Sequence, residues 1–261
     1  MRILVMTKPV PDPAANAERL GPDLRLDRAA SPTVVNGNDE YGLEAALQLV
    51  EAHGGEVAIL TMAPASGVET MRKALAMGAL RGVLVSDDAL AGADIPTTIR
   101  VLAAAAAIQE WDLLLGGLDT SDGAGGAVTA GVAARLGLPL LSAAAHIEPD
   151  EAARTVRVKR LSAKGYDLLE APMPAVVSCT QALGTPRYPS LKGIMAARTR
   201  QITTLSLADL GADLAPADRQ WPSRVLAVEP PPSRAAGRTV TGDPASQARE
   251  IADYLADRRI I

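Results

Sequence analysis

Residues 112–139 read DLLLGGLDTSDGAGGAVTAGVAARLGLP, an apolar run followed by a polar, glycine-rich turn and a second apolar pattern. The run at 113–115 is short and dense enough to be a strand buried on both faces. After the turn, Val128, Val132 and Leu136 recur at helical spacing until glycine and proline end the pattern. The stretch therefore predicts a strand, a loop and the N-terminus of a helix.

The polar turn has the composition of an anion-binding loop. The first N–H groups of a helix lack internal partners and lie at the positive end of its dipole, which favours phosphate. The small residues at 123–127 let a ligand approach the backbone closely, and the four residues before them are each able to cap the helix: Asp119, Thr120, Ser121 and Asp122. The loop carries neither a Walker signature nor GxGxxG. A nucleotide-binding loop and a tight βα turn that needs glycine only for its backbone angles both remain open.

Composition limits the class of protein. The chain has 261 residues, 48% of them hydrophobic, which is enough for one large α/β domain with or without appendages. With 26 basic and 30 acidic residues, no Phe and two Trp, it lacks the basic stripe and aromatic platforms of a nucleic-acid-binding protein. Its one cysteine, Cys179, excludes an internal disulfide, and the apolar run AVVSCT around it indicates a buried structural thiol.

Neither a targeting segment nor catalytic chemistry is predicted. The N-terminal MRILVMTK indicates a short strand, and no apolar segment has the length of a membrane span, so we expect a soluble, cytoplasmic bacterial protein. His53 and His146 have no Ser or Cys in a recognisable elbow, and metal-ligand spacing is absent. Asp119 and Asp122 are expected to cap the helix or bind ribose hydroxyls.

The order of elements predicts a doubly wound parallel sheet. Strands are expected at 2–7, 56–62, 82–86 and 113–115. Helices are expected after the Asn turn at 36–39, from a capping box of Ser66 and Glu69, and from Asp94 to about Glu110. The proline-rich turn at 8–13 is excluded from a helix or a central strand, and 14–35 is an excursion with little regular structure. Ligands of such sheets bind beyond the carboxyl ends of the strands, which gives the loops at 6–13, 36–39, 62–66 and 117–127.

The pattern changes after Pro139. Strands at 140–148, 154–160 and 174–180 have no long helices between them, so the sheet is expected to gain antiparallel members. From Gln181 the chain loses periodicity; a proline-rich extended tail covers 225–244 and an amphipathic helix 247–259. We therefore predict an α/β domain over residues 1–224 and, over 225–261, a C-terminal arm and helix that contact a partner.

The segment at 183–198, reading LGTPRYPSLKGIMAAR, closely resembles the signature of the electron transfer flavoprotein β subunit. The resemblance extends to ALAMGA at 74–79, DEY at 39–41 and the TSDGAGGAV loop, and so covers essentially the whole chain. It implies an α/β fold with a doubly wound, mostly parallel sheet of the adenine-nucleotide α-hydrolase type. It also implies a heterodimer with an α subunit that holds most of the site for a redox-active FAD.

The resemblance further implies a buried AMP in this chain. The corresponding cofactor-binding residues lie after the first strand, in the Asn turn, at the end of the second strand and in the glycine loop. They are Met6, Asn36, Gly37, Asn38, Asp39, Met62, Gly117, Asp119, Thr120, Ser121, Asp122, Gly123, Ala124, Gly125, Gly126, Ala127 and Val128. These are the strand-edge loops that the order of elements selects independently. Whether AMP or the second FAD of electron-bifurcating members binds here is left open.

By the same resemblance, a recognition loop at about 181–200 docks partner dehydrogenases. Leu183 corresponds to its exposed leucine, and Pro186, Arg187 and Tyr188 follow it. The implied role is an electron carrier without substrate turnover of its own, which moves electrons from acyl-CoA or related dehydrogenases of fatty acid oxidation to a quinone-linked oxidoreductase. Packing of Leu183 on its own loop is the alternative.

Two other classes of function remain as alternatives. An ATP-hydrolysing sensor or stress-type protein on the same sheet would explain the glycine loop but not PRYPSLKGIM or the C-terminal arm. A nicotinamide dehydrogenase is disfavoured because no GxGxxG follows the first strand.

Overall fold

A sheet of nine strands organises the part of the chain that the structure, a computed structural model, describes: residues 1–15, 19–28, 30–211, 214, 225–229, 231–233 and 237–261. Positions 16–18 and 29 of the predicted excursion, and 230 and 234–236 of the predicted tail, lie outside these residues. The chain divides into two units, Met1–Leu226 and Ala227–Ile261. The sheet belongs to the first unit.

The strands of the described residues are β1 (Arg2–Met6), β2 (Pro9–Pro11), β3 (Thr33–Val35), β4 (Glu56–Met62), β5 (Arg81–Val85), β6 (Leu113–Gly117), β7 (Leu140–Asp150), β8 (Thr155–Ser162), β9 (Gly165–Pro172), β10 (Ala175–Cys179) and β11 (Ile202–Leu205). The α-helices are α1 (Gly37–His53), α2 (Val68–Met77), α3 (Ile95–Ala107), α4 (Val128–Leu136), α5 (Leu191–Ala197), α6 (Leu207–Leu210) and α7 (Pro244–Asp257). Among these described helices, none has the length and apolar character that a membrane crossing requires.

The sheet has the order β11-β5-β4-β1-β6-β10-β7-β8-β9. The strands from β11 to β7 are parallel, and β8 and β9 add an antiparallel end. The chain builds outward from β1 through β4 to β5 and then returns to place β6 on the other side of β1. The strand order therefore reverses between β1 and β6, where doubly wound sheets bind ligands. The predicted fold class is confirmed.

Helices cover both faces of this sheet. On one face Leu43 of α1 and Leu75 of α2 belong to one buried cluster with Ile3 and Val5 of β1. On the other face Val101 of α3 and Val132 of α4 belong to a second buried cluster with Leu4 of β1. The β6 leucines are fully enclosed because successive side chains point to opposite, equally covered faces.

Several sequence predictions need correction. The edge strands β9 and β11 were missed because they are short or largely exposed and so carry little apolar signal. The excursion contains β3, which pairs with β2 in a separate two-stranded ribbon. The capping box of Ser66 and Glu69 does not form, because Ser66 lies in a 3₁₀ turn and α2 starts two residues later, at Val68, without a side-chain cap. Asp94 does cap α3, accepting the Thr97 N–H at 2.9 Å, and α3 ends at Ala107.

In the second unit, α7 begins at Pro244, three residues before the predicted start at residue 247. The Asp243 carboxylate accepts the N–H groups of Ala245 and Ser246, each at 3.1 Å, as an N-cap. Arg238 and Glu250 form an ion pair within this unit. Half of the surface of Ile251 and Tyr254 is exposed, at 50% and 51%, so the apolar side of α7 is not covered within this unit.

Candidate functional site

The loops that follow β1 and β6 meet the start of α1 at the point where the strand order reverses. The N-terminal turn of α1 supplies Asn36, Asn38 and Asp39, and each of the three bonds to one of those loops. The carboxyl ends of parallel strands lie at one edge of a sheet, so the order of elements in the sequence predicts that these loops meet there. The structure brings the predicted residues of the Asn turn and the glycine loop into direct contact.

Asp39 occupies the centre of this junction. One carboxylate oxygen accepts the Lys8 N–H at 2.9 Å, and the other accepts the Gly117 N–H at 3.0 Å. The residue is only 4% exposed. Burial disfavours the charged form and raises the pKa of Asp39 to about 7, against the opposing effect of the bonds to Asn36, Lys8 and Gly117.

The two asparagines orient the loop after β6. Asn36 donates to the Asp119 carbonyl at 2.9 Å and accepts the Ser121 N–H at 3.2 Å. Asn38 donates to the Asp119 carboxylate at 2.6 Å. The residues from Asp119 to Ser121 are therefore fixed by α1, and the predicted capping of α4 by these side chains is wrong.

Asp122 joins the same loop to two cations. Its carboxylate has no exposed surface and lies 2.8 Å from Lys8 Nζ, and Arg28 pairs with its other oxygen. Burial opposes ionisation, but the hydrogen bond and charge of Lys8, with Thr120 and Arg28, outweigh it and lower the pKa of Asp122 to about 2. This carboxylate does not cap α4 either. Lys8 and Arg28 therefore lie beside the glycine loop, together with the carboxylates of Asp119 and Asp122.

The glycine loop leads into α4 without a side-chain cap. Ala127 occupies the N-cap position and makes no side-chain bond, so the first N–H groups of α4 depend on another acceptor. Within the loop, Ala124 and Gly126 adopt left-handed backbone angles, with φ of 43° and 59°. These angles turn the backbone, and the exposed small residues leave it open to a ligand.

The methionines at the ends of β1 and β4 differ in exposure. Met6 is buried, and its terminal methyl would lie 2.7 Å from a Cβ at Gly116, so β6 passes it closely. Met62 is half-buried at the end of β4. Thr129 of α4 donates to the Gly117 carbonyl at 2.8 Å and ties the helix back to the strand. The sequence reasoning missed Thr129.

The predicted recognition loop is held by α1. Arg187 donates from Nε to Glu44 at 2.7 Å and also pairs with Glu51, two turns further along the helix. Leu183 is half-buried and packs against the core, whereas Tyr188 is 93% exposed. The sequence reasoning missed both glutamates, although their spacing of seven residues places them on one face of α1.

The remaining candidate groups have structural surroundings. Cys179 is buried at the end of β10, where burial and the charge of Asp39 raise the pKa of its thiol. His53 lies at the end of α1, 3.9 Å from Glu151, and His146 lies in β7. The described residues contain no group of three His, Cys, Asp or Glu side chains arranged to hold a metal ion.

Comparison with known proteins adds the family. The sequence model of the electron transfer flavoprotein domain matches residues 23–210. That match includes the Asn turn, the glycine loop and the segment held by Arg187.

The chain belongs to the electron transfer flavoprotein family, among its β subunits. It is 37% identical to the electron transfer flavoprotein subunit beta of Mycobacterium tuberculosis, with 99% of each chain covered. It is 31% identical to the electron transfer flavoprotein subunit beta of Thermoanaerobacterium thermosaccharolyticum and 33% identical to subunit CarD of the caffeyl-CoA reductase–Etf complex of Acetobacterium woodii, over the whole of each chain. The predicted family is thus confirmed, and an electron-transfer role with it.

Proposed function

We propose that this electron transfer flavoprotein β subunit pairs with an α subunit and helps to hold an FAD between them. The heterodimer takes electrons from acyl-CoA or related dehydrogenases and passes them to a quinone-linked oxidoreductase. The observation that carries this proposal is the match to β subunits over 99% of both chains. In this role the chain positions and tunes a cofactor and docks partners, and turns over no substrate of its own.

We also propose that the crevice between β1 and β6 holds AMP. The uncapped start of α4 and the open glycine loop favour a phosphate group, and the cations Lys8 and Arg28 lie beside that loop on Asp122. Asn36 and Asn38 already bond to the loop, which leaves it ordered before the nucleotide arrives. The nucleotide would act as a structural ligand that satisfies the loop N–H groups.

The first test is to denature the purified heterodimer and identify the released nucleotides by chromatography. We expect one FAD and one AMP per heterodimer. Two FAD and no AMP would mean that a second flavin, and not AMP, occupies the crevice. A complex without flavin would overturn the electron-carrier proposal. ATP turnover by this chain alone would favour the sensor alternative.

The variant Gly125→Val locates the nucleotide. A Cβ at Gly125 would lie 2.8 Å from the Cδ1 methyl of Ile95, the flexible end of that side chain. Ile95 can move aside, so the substitution costs the fold little stability. The larger valine side chain lies at the exposed surface of the loop. We expect AMP content to fall at least about tenfold with FAD retained, because the phosphate loses close approach to the backbone. Lys164→Ala, in the turn between β8 and β9, is the control. Normal AMP content in the Gly125 variant would show that the glycine loop is not part of the AMP site.

The variant Leu183→Ala tests docking. An apolar anchor in a partner pocket contributes about 2 kcal/mol or more, so we expect flavin reduction by the dehydrogenase to slow roughly 30-fold at limiting concentration. FAD content should stay unchanged. Leu168→Ala removes a leucine that is 65% exposed on β9 and serves as the control. Loss of flavin with unchanged reduction of the remaining holoprotein would indicate that Leu183 only packs on its own core.

A further inference from the structure

The Asp39 carboxylate joins three segments of the proposed AMP site. Asp39 belongs to the first turn of α1, and its two oxygens accept one N–H from the loop after β1 and one from the end of β6. It is 4% exposed, so almost none of its surface is available to a ligand. The family resemblance placed this residue among those that bind the cofactor, but its bonds all point to the protein backbone and to Asn36.

We propose that Asp39 is a positioning residue: its ionised carboxylate sets the separation of the two loops that receive the nucleotide, without contacting the nucleotide itself. The inference rests on the proposed AMP site and deepens it. The two loops it connects, after β1 and β6, are the walls of the crevice at the reversal of strand order. Holding both from one rigid helix keeps the loops in place before binding, which reduces the ordering cost of association.

The charge state follows from the donors around the carboxylate. Both oxygens face N–H groups, and a proton on either oxygen would oppose a donor and break one bond. The titratable groups near it are Lys8 after β1, Asp119 after β6, Cys179 at the end of β10 and Glu40 beside it on α1. Lys8 favours the ionised form and the neutral Cys179 adds no charge.

A test by pH separates positioning from general stability. Burial raises the pKa of Asp39 from 3.8 to about 7. A carboxyl whose pKa is raised on folding stabilises the folded state below its unfolded pKa, and that contribution is lost as the pH rises through the folded pKa. The Asp39 contribution to folding therefore weakens from about pH 4 to about pH 7, whereas AMP affinity should strengthen as Asp39 ionises near pH 7. Positioning and stability thus predict opposite pH slopes.

The experiment titrates AMP into the nucleotide-stripped heterodimer, by calorimetry, from about pH 6 to about pH 8.5. We expect the wild-type affinity to fall several-fold toward the acidic end. Asp39→Asn keeps the size of the side chain but places an amide donor against one N–H, and it should bind AMP roughly tenfold more weakly at the alkaline end. The phosphate of AMP has its own second pKa at about 6, so a shallow slope remains in the variant, and the Asp39 contribution is the steeper fall in the wild type. Glu40→Gln is the matched control, because burial also raises the pKa of Glu40 but no described contact links it to either loop.

Hydrogen exchange of the nucleotide-free heterodimer gives a second measurement. In Asp39→Asn the amides of Lys8 and Gly117 should lose protection while those of β4 keep it. Unchanged protection and an unchanged AMP profile would overturn the positioning role. If no variant, including wild type, binds AMP but the exchange change occurs, the proposed AMP site fails and the loop-positioning role of Asp39 stands.

Discussion

Replacing Arg187 by Ala should lower the free energy of unfolding of the heterodimer by about 2–3 kcal/mol. The Arg187 guanidinium forms a bidentate ion pair with Glu44, whose side chain is only 7% exposed, and it also pairs with Glu51. In the Ala variant Glu44 keeps the bonds from Gln48 at 2.8 Å and from the backbone N–H of residue 187 at 3.1 Å, but it loses both guanidinium bonds and the opposite charge, and remains an under-compensated buried charge. The melting temperature should fall by about 5–10 °C.

The pH dependence of this loss has a fixed sign. Burial works against ionisation of Glu44, yet the bonds from Arg187 and Gln48 hold its pKa below the ordinary 4.5. A lowered acid pKa gives a stabilisation that is present above 4.5 and is lost as the pH falls below it, so wild type and variant should converge in acid. Arg157→Ala breaks an exposed pair with Glu170 and should cost under about 1 kcal/mol. Equal losses from the two variants would mean that burial of Glu44 contributes nothing.

Replacing Gly117 by Ala should remove the nucleotide and destabilise the fold together. The added Cβ would lie 2.4 Å from the Asp39 carboxylate and 2.9 Å from the Asn38 Cβ. Asp39 is fixed by its bond to Lys8 and has little freedom to move, so the Gly117 N–H bond to it should break. We expect a loss of about 2–3 kcal/mol in the free energy of unfolding and at least about a tenfold fall in AMP content.

Gly82→Ala is the control for this substitution. Its added Cβ would lie 2.8 Å from the terminal methyl of Met71, which is the end of a flexible side chain. It should cost about 1 kcal/mol and leave the AMP content unchanged. Thermal melting and nucleotide release measure both variants. A Gly117 variant with normal AMP content would show that the junction of β6 with α1 does not support nucleotide binding.

The sequence predicted the central sheet well because its signals are local. β4 occupies the predicted residues 56–62, and the run at 113–115 is a fully buried part of β6. Apolar runs of this length need burial on two faces, and the turn residues between them fix where each element ends. The edge strands β9 and β11 were not predicted, because many of their residues are exposed and their composition carries little apolar signal. They are strands because they pair with β8 and β5, respectively.

The sequence predicted which loops meet at the edge of the sheet but not how their side chains bond. Asp119 and Asp122 are residue types that commonly cap helices, but here Asn38 and Lys8 bond to their carboxylates and α4 has no side-chain cap. Helix capping and ion pairing compete for the same carboxylates. Which of the two interactions forms depends on the groups, distant in the sequence, that the fold places beside them. The partners of Arg187 on α1 could not be read from the sequence for the same reason.

The sequence by itself determined the alternation of strands and helices, the edge of the sheet at which the loops gather, and the membership in the flavoprotein family, because these follow from local periodicity and a specific motif. Only the tertiary structure decided that Asp39 bonds two loops, that Asp122 is enclosed between Lys8 and Arg28, and that Arg187 is held by α1. Those contacts join residues far apart in the chain. Their strength depends on burial and on the direction of donors and acceptors, which arise only when the helices pack on the sheet.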